Sequence, residues 1–224
     1  VPFEPMELDK FETRTRGFVK IQDGCNNYCS YCIIPYARGN IRSKSKEDVI
    51  NEVNKLVDNG YKEVVLTGIH TGHYGKDKYE YNFSDLLDEL CKIDNLLRIR
   101  ISSIEITELD EEFMRVLKNN KKIVDHIHIP LQSGCDKTLK EMNRKYDTKY
   151  FLDKINEIRN IRKDISITTD LIVGFPNETD EDFEKTCEFV KKVNFSKIHV
   201  FPYSRRKGTK ADLMNNQISE DIKK

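Results

Sequence analysis

The sequence predicts an α/β chain whose six β-strands alternate with helices and pair in parallel as an open (β/α) barrel. Three observations lead to this prediction. Short β-prone runs alternate with amphipathic helical patterns, six such units fit between residues 16 and 210, and a closed eight-unit barrel needs about 250 residues. A chain of 224 residues is long enough for one sizeable core. We therefore expect one domain whose polar residues collect at the carboxyl ends of its strands.

The first half of the chain is predicted to contain three strands. Residues 17–22 alternate apolar and polar side chains, which is typical of a half-exposed strand. Ser45 precedes an acidic turn and apolar residues at helical spacing, and an Asn-Gly pair ends this helix. The remaining elements predicted here are strands at 63–67 and 97–102 and an amphipathic helix at 83–91.

The second half continues the same alternation. Residues 107–110 are predicted to cap a helix, and Thr179 begins another. The remaining predicted elements are strands at 126–129, 165–173 and 198–201 and helices at 139–142 and 151–161. On the fourth strand, His126 and His128 are expected to face opposite sides of the sheet. Strands separated by helices at this spacing pair in parallel through right-handed crossovers.

Both ends of the chain differ from this core. Residues 1–15 lack an apolar period and are predicted to be a linker or the tail of an upstream domain. The core is predicted to span 16–210, and 211–224 are predicted to be the start of a truncated C-terminal extension. Within that extension, residues 214–224 have the pattern of a helix that stops without a cap.

Composition and charge limit the possible functions. The chain has 38 basic and 38 acidic side chains, so no global field attracts nucleic acid and any RNA binding must come from local patches. No apolar run approaches membrane-spanning length, and the first residues do not resemble a signal peptide. Clustered thiols without a secretory signal indicate a reducing compartment, so we expect a cytoplasmic protein.

Three cysteines lie in one short polar loop directly after the first strand. Cys25, Cys29 and Cys32 have the spacing C-x3-C-x2-C, and the loop is too short to bury them separately. Three thiolates without a fourth nearby suit a 4Fe–4S cluster that leaves one iron open to another ligand. Zinc remains an alternative, although it needs a fourth ligand at short spacing. Three cysteines in one loop cannot all pair as disulfides.

With Tyr31 directly before the last cysteine, this pattern resembles the signature of the radical S-adenosylmethionine (radical SAM) superfamily. Seven runs resemble its methylthiotransferase branch, in the same order along the chain: 22–25, 32–39, 66–70, 101–105, 130–134, 170–176 and 203–205. Residues 67–70, followed by Tyr74-Gly75, are most similar to the subgroup that modifies threonylcarbamoyl-adenosine beside the tRNA anticodon. The family usually has glycine where this chain has Asn177, which tolerates the same left-handed turn.

The resemblance implies a fold, two cofactors and a reaction. The fold is the open six-unit partial TIM barrel of the radical SAM type. The open iron of the 4Fe–4S cluster binds S-adenosylmethionine, which is cleaved reductively to a 5′-deoxyadenosyl radical that activates the modified adenosine for methylthiolation. A second cluster is expected only in an upstream domain. By this resemblance, the residues expected to bind cofactor are Tyr31, Thr67, Ser103, Glu105 and Gln132.

The expected partners follow from the same resemblance. They are a tRNA anticodon loop and a one-electron reductase of the flavodoxin or ferredoxin type, with no membrane and with a monomeric chain. Substrate or RNA contacts are expected from Arg38, His70, Asp170 and Arg205, and no catalytic residue is assigned. A purely structural Asp170 would pair with an arginine or a backbone amide.

Alternative functions remain open at this point. One is methylthiolation of isopentenyl-adenosine in tRNA, and another is methylthiolation of a ribosomal-protein aspartate. A third, from a different class, is a non-catalytic zinc or RNA-binding module, because a barrel fold does not decide function. Cys91, Cys135 and Cys187 are predicted to be packing residues.

Overall fold

The structure is a computed structural model, and it describes residue 3, residues 15–77 and residues 80–223. Within these ranges the strands form two sheets in the orders β2-β1-β3-β4 and β5-β6-β7. All neighbouring strands pair in parallel except β1 and β2, which are antiparallel. The strands are β1 Gly17–Asp23, β2 Arg42–Ser43, β3 Glu63–Gly68, β4 Arg98–Ile101, β5 His126–His128, β6 Ser166–Val173 and β7 Lys197–Pro202.

The two sheets continue into one another at the segment before β5. Ile99 of β4 forms a parallel bridge with Ile123, and its backbone N–H donates to the carbonyl of Lys122 at 2.7 Å. Farther up, the N–H of Ile104 donates to the carbonyl of His128 at 3.0 Å. Six parallel strands therefore form one arc, with β7 as an end strand. This arrangement confirms the predicted open (β/α) barrel.

Helices connect consecutive strands, as the sequence pattern predicts. They are α1 Ile34–Arg38, α2 Lys46–Asp58, α3 Phe83–Cys91, α4 Glu111–Asn119, α5 Asp136–Glu141, α6 Thr148–Ile161 and α7 Asp180–Val193. Several begin at a side chain that accepts a hydrogen bond from the N–H three residues on, worth about 1 kcal/mol each. These capping residues are Ser45, Asn82, Asp110, Asp147 and Thr179. No helix in the described ranges is both long and apolar enough to span a membrane.

The main core lies between the sheets and the helices. Ile167 and Leu171 of β6 belong to it, together with the fully buried Phe113 and Phe151 of α4 and α6. The intervening side chains of β6, such as Thr168, contact the histidines of β5 inside the barrel. This alternation follows from the two-residue period of a strand, and it leaves the interior of the barrel polar.

A second, smaller core lies beneath the cysteine loop. Met142, Phe175, Tyr203 and Ala211 form it, and Tyr31 packs against it. The ring of Phe175 lies edge-on to both Tyr31 and Tyr203, with ring centroids 6.5 Å and 5.4 Å apart. Residues from distant parts of the chain therefore support the loop from below.

Three predictions about local structure were wrong or incomplete. Strand β2 and helix α1 were not predicted, because two and five residues are too few to show a period. The helix predicted from residue 214 is absent: 214–223 form turns and bends. Asn216 there adopts a left-handed backbone (φ 55°), and Gln217 donates its amide to the carbonyls of Ala211 and Met214. Both features interrupt a helix.

The prediction for the two histidines of β5 was also wrong. The Thr168 hydroxyl lies 3.1 Å from His126 Nε2 and 2.9 Å from His128 Nδ1, so both rings occupy the same face. Residues two apart on a strand share a face, and neighbours alternate. The left-handed turn at Asn177 (φ 66°) is confirmed. The predicted linker lies, except for residues 3 and 15, outside the described residues, and the division at residues 210 and 211 stays a prediction.

Candidate active site

The cysteine loop begins at a turn that only glycine fits. Gly24 has φ +74°, and a Cβ atom there would lie 2.0 Å from the carbonyl oxygen of Asn40. The buried amide of Gln22 donates to the carbonyl of Gly24 at 2.7 Å, and its oxygen accepts from the backbone N–H of His70 at 2.7 Å. Gln22 thus fixes the start of the cysteine loop against the loop after β3.

The middle of the loop is attached to the end of α5. The Ser30 hydroxyl donates to the carbonyl of Glu141 at 2.6 Å, and its N–H donates to the carbonyl of Met142 at 2.9 Å. Its own carbonyl accepts from the N–H of Ala211 at 2.8 Å. The loop is therefore held on both sides by backbone groups that are far away in sequence.

All six cysteines are free thiols, and the three in the loop line one cavity of about 210 Å³. Cys25, Cys29 and Cys32 are half-buried, and burial raises the pKa of Cys25 and of Cys32. Their sulfurs are not among the sets of ligand atoms, in the described ranges, that all lie within 4.8 Å of one another. Thiolates on one zinc ion would be about 3.8 Å apart, given Zn–S bonds near 2.3 Å. A 4Fe–4S cluster needs no such convergence, because each thiolate binds a different iron.

Arg144 is the residue at this site that the sequence reasoning missed. Its side chain is only 3% exposed and forms a salt bridge with Glu105. The guanidinium lies 3.2 Å from Cys29 Sγ and 3.4 Å from the Tyr31 hydroxyl, and it also donates to the Tyr146 hydroxyl at 3.0 Å. No local pattern marks an arginine after a short helix, so the sequence alone gives no signal for it.

The residues expected to bind cofactor divide into two groups. Tyr31, Ser103, Glu105 and Gln132 line the same cavity as the cysteines. Thr67 does not line it, and its hydroxyl donates to the carbonyl of Val19 across the sheet. Gln132 has a left-handed backbone (φ 69°), which is strained for a residue with a side chain and is common at functional sites.

A second cavity of about 330 Å³ adjoins the first, because Tyr31 and Gln132 line both. Phe201, Tyr203 and Arg206 contribute to its walls. The hydroxyl of Tyr203 is buried and has no hydrogen-bond partner among the described residues. The two cavities together form a cleft with aromatic walls and polar groups at both ends, which suits a nucleoside-containing ligand.

Asp170 also lines the second cavity, and among the described residues its carboxylate pairs with neither an arginine nor a backbone amide. His128 Nε2 and His199 Nδ1 each lie 3.2 Å from one of its carboxylate oxygens. The partners of this carboxylate therefore come from the two neighbouring strands, and a contact of Asp170 with substrate stays a prediction. Sequence reasoning could not pair them, since the register between strands is not visible in a single sequence.

The two arginines expected to contact RNA are exposed, and they differ in their partners. Arg205 pairs with Asp212 at 2.5 Å. The next residue along the chain, Arg206, lines the second cavity. Arg38 lies 3.8 Å from the carboxylate of Asp23, too far for a close ion pair to hold it. His70, in contrast, is buried, and burial lowers its pKa to about 3, so its ring is neutral.

A larger cavity than these two, of about 630 Å³, lies elsewhere. Apolar residues of α7, β6 and β7 line it, and none of its lining residues lines the cysteine cavity. It has few polar groups that could orient a ligand. This groove is larger than the cysteine cavity, but the thiols and the buried Arg144 identify the smaller cavity as the reactive one.

Comparisons with known proteins agree with this fold. The family model described as the radical SAM superfamily matches residues 19–190, and the chain belongs to that superfamily. Among solved structures, the radical S-adenosylmethionine methyltransferase TsrM from Kitasatospora setae, with cobalamin and a 4Fe–4S cluster bound, aligns with a TM-score of 0.69. It is 18% identical, and the alignment covers 83% of this chain and 34% of that one. Coproporphyrinogen III oxidase (HemN) from Escherichia coli aligns with a TM-score of 0.67 at 17% identity, covering 93% and 49%.

Two relatives that are more similar in sequence than these structures are each about twice as long as this chain. Threonylcarbamoyladenosine tRNA methylthiotransferase MtaB from Bacillus subtilis (strain 168) is 50% identical over 222 residues, which are 99% of this chain and 49% of that protein. The tRNA-2-methylthio-N(6)-dimethylallyladenosine synthase from Carboxydothermus hydrogenoformans is 43% identical over 215 residues, 96% and 49% respectively. The chain therefore spans about half the length of these relatives.

Proposed function

We propose that this chain is the radical SAM core of a tRNA methylthiotransferase that modifies N6-threonylcarbamoyladenosine beside the anticodon. One observation carries the chemistry: three free thiols from one preformed loop line a cavity together with a buried arginine-carboxylate pair. The 50% identity to an enzyme named for this substrate supports the choice of substrate. Because the chain matches half of that enzyme, the complete reaction belongs to the longer protein.

Cys25, Cys29 and Cys32 would hold a 4Fe–4S cluster with one open iron, and the residues fit this group. They supply three sulfur ligands, and they face a cavity with room for a further ligand. When bound, the reduced cluster and S-adenosylmethionine together supply the 5′-deoxyadenosyl radical that abstracts hydrogen from the substrate. The protein positions these groups and excludes water from them.

The charged pair in the first cavity matches the amino-acid end of S-adenosylmethionine. Arg144 offers a buried positive charge suited to a carboxylate, and Glu105 offers an acceptor suited to an ammonium group. The adenosyl end would then lie in the adjoining cavity, against the rings of Tyr31 and Tyr203. Gln132 lines both cavities and would contact the sugar between them.

The RNA would bind at the rim around this cleft. The net charge of the chain is zero, so phosphate contacts must come from local cations. Arg38 is the last residue of α1, which follows the cysteine loop, and Arg205 lies on the loop after β7; both are exposed. Asp170, which lines the second cavity, would contact the adenine ring of the substrate. We also propose a monomer in the cytoplasm, reduced by a flavodoxin-type or ferredoxin-type partner.

Anaerobic reconstitution tests this assignment. After addition of iron and sulfide, we expect about four irons per chain, and after dithionite and S-adenosylmethionine we expect 5′-deoxyadenosine. Cys29→Ala should abolish both. The matched control is Cys187→Ala, which removes a half-buried thiol of α7 that does not line the cysteine cavity. Stoichiometric zinc with no cofactor cleavage would contradict the proposal and support a binding module.

A second candidate substrate is supported by one comparison. The relative from Carboxydothermus hydrogenoformans, named for dimethylallyladenosine, is only 7 percentage points less identical to the chain than the B. subtilis enzyme (50 versus 43%). The full-length enzyme should therefore be offered anticodon stem-loops with either modified adenosine. Turnover only with dimethylallyladenosine would overturn our choice and leave the class of reaction intact.

A further inference from the structure

His70 lies directly behind one of the cluster ligands, and its position is fixed. It follows β3, and its backbone N–H is held by Gln22, the same residue that fixes the cysteine loop. Its side chain is 3% exposed. Nδ1 of its ring lies 3.7 Å from Cys25 Sγ, within the range of a hydrogen bond to sulfur.

The ring of His70 is also held in place by a stacked neighbour. The ring of His73 stacks on that of His70 with centroids 3.6 Å apart and planes 16° from parallel. His73 Nε2 donates to Glu108 at 2.9 Å, and Lys76 occupies the other oxygen of that carboxylate. Gly72 allows this approach, because a Cβ there would lie 2.6 Å from Glu108 Cγ.

This packing excludes a metal ion between the two histidines and the glutamate. Lone pairs of imidazole nitrogens lie in the ring plane, so two nearly parallel stacked rings cannot direct them at one ion. The ammonium group of Lys76 also neutralises the carboxylate that such an ion would need. The cluster of His70, His73 and Glu108 is a support behind Cys25.

A thiolate accepts hydrogen bonds and donates none, so the nitrogen that faces Cys25 in the loaded protein must carry a proton. The only ring nitrogen of His70 that faces sulfur is Nδ1. Its Nε2 is buried without a hydrogen-bond partner in the described ranges and lies 3.8 Å from a Glu108 oxygen. Loading the site therefore favours the tautomer with the proton on Nδ1.

We propose that His70 donates a hydrogen bond from Nδ1 to the Cys25 thiolate and thereby raises the reduction potential of the cluster. Reduction adds negative charge to the cluster and its sulfurs, and a donor aimed at a ligand sulfur stabilises that charge. His70 is thus a positioning residue that acts through Cys25. This inference rests on the cluster assignment proposed above.

The test is a redox titration of the reconstituted chain, followed by electron paramagnetic resonance. His70→Leu removes the donor, and the midpoint potential should shift to a more negative value at full cluster content. His70→Asn places an amide donor near the position of Nδ1 and should restore most of the shift. His126→Asn is the control, since His126 contacts Thr168 and lines neither the cysteine cavity nor the second cavity, and it should leave the potential unchanged.

A second measurement uses the wild-type chain and does not depend on the variants folding. Chain labelled with 15N-histidine should show a nitrogen hyperfine coupling to the reduced cluster, because the hydrogen bond places one imidazole nitrogen against a ligand sulfur. Absence of that coupling in a fully loaded chain, or an unchanged potential in His70→Leu, overturns the proposal and leaves the cluster assignment standing. A wild-type chain that takes up no cluster overturns both.

Discussion

The buried arginine at the cofactor cavity gives the prediction with the largest expected effect. Arg144→Met keeps most of the side-chain volume and removes the charge with its hydrogen bonds. The change leaves the carboxylate of Glu105 without its cation and takes a donor from the hydroxyls of Tyr31 and Tyr146. We expect the cluster-free chain to lose stability as well as cofactor binding.

The size of this loss follows from the burial of the pair. Breaking a buried ion pair by removing one partner costs about 3–5 kcal/mol, because the other charge stays desolvated. The side chain of Glu105 keeps 18% exposure, so solvent screens part of that cost. We expect about 3 kcal/mol, a change of roughly a hundredfold in the unfolding equilibrium.

Urea unfolding of the cluster-free chain, followed by far-ultraviolet circular dichroism, measures this loss. The double variant Arg144→Met/Glu105→Gln removes both charges and should be less destabilised than the sum of the two single variants. Arg115→Met is the control: its partner Glu112 is 3.9 Å away on an exposed helix face, so less than about 0.5 kcal/mol is expected. A loss of unfolding free energy under about 1 kcal/mol in Arg144→Met, or losses in the two single variants that simply add, would contradict this prediction.

Three further outcomes are expected. Gly24→Ala places a Cβ against the Asn40 carbonyl at a positive φ, so it should cost about 1–3 kcal/mol and reduce cluster uptake, and unchanged iron content would contradict this. Burial raises the pKa of Asp182, but hydrogen bonds from Lys137 and Thr179 lower it on balance. The Asp182 carboxylate therefore stabilises the fold above about pH 4, and this stabilisation is lost as the pH falls. Asp182→Asn should flatten acid unfolding curves below that pH, and parallel curves would refute the assignment. The chain should cleave S-adenosylmethionine without completing methylthiolation of a tRNA substrate, and full turnover by the isolated chain would show that no further domain is needed.

The strands and most helices could be predicted because their signals are local. A two-residue alternation or a 3.6-residue apolar period is visible within one segment, and capping residues such as Ser45 and Thr179 mark where a helix begins. The cysteine spacing is equally local, so the cluster ligands could be proposed from the sequence. The short β2 and α1 were missed because a period needs more residues than they contain.

The rest of the site depends on contacts that no local pattern encodes. Arg144 and Cys29 are 115 residues apart in sequence, and Asp170 meets His199 only because β6 and β7 pair in one register. His70 was predicted as a substrate or RNA contact because it follows a strand, and its position beside Cys25 could not be predicted. Register and turn geometry decide these positions, and both are set by the whole fold.

The attachment of the cysteine loop bears on how the protein would recover from damage by oxygen. Gln22, Gly24 and Ser30 hold the loop through hydrogen bonds within the protein alone. Ordering a flexible loop costs about 1–2 kcal/mol of conformational entropy per residue. In this protein the loop becomes ordered when the chain folds, before any cluster binds. A protein that has lost its iron therefore keeps the thiols in place, and repair requires the delivery of a new cluster without any refolding of the chain.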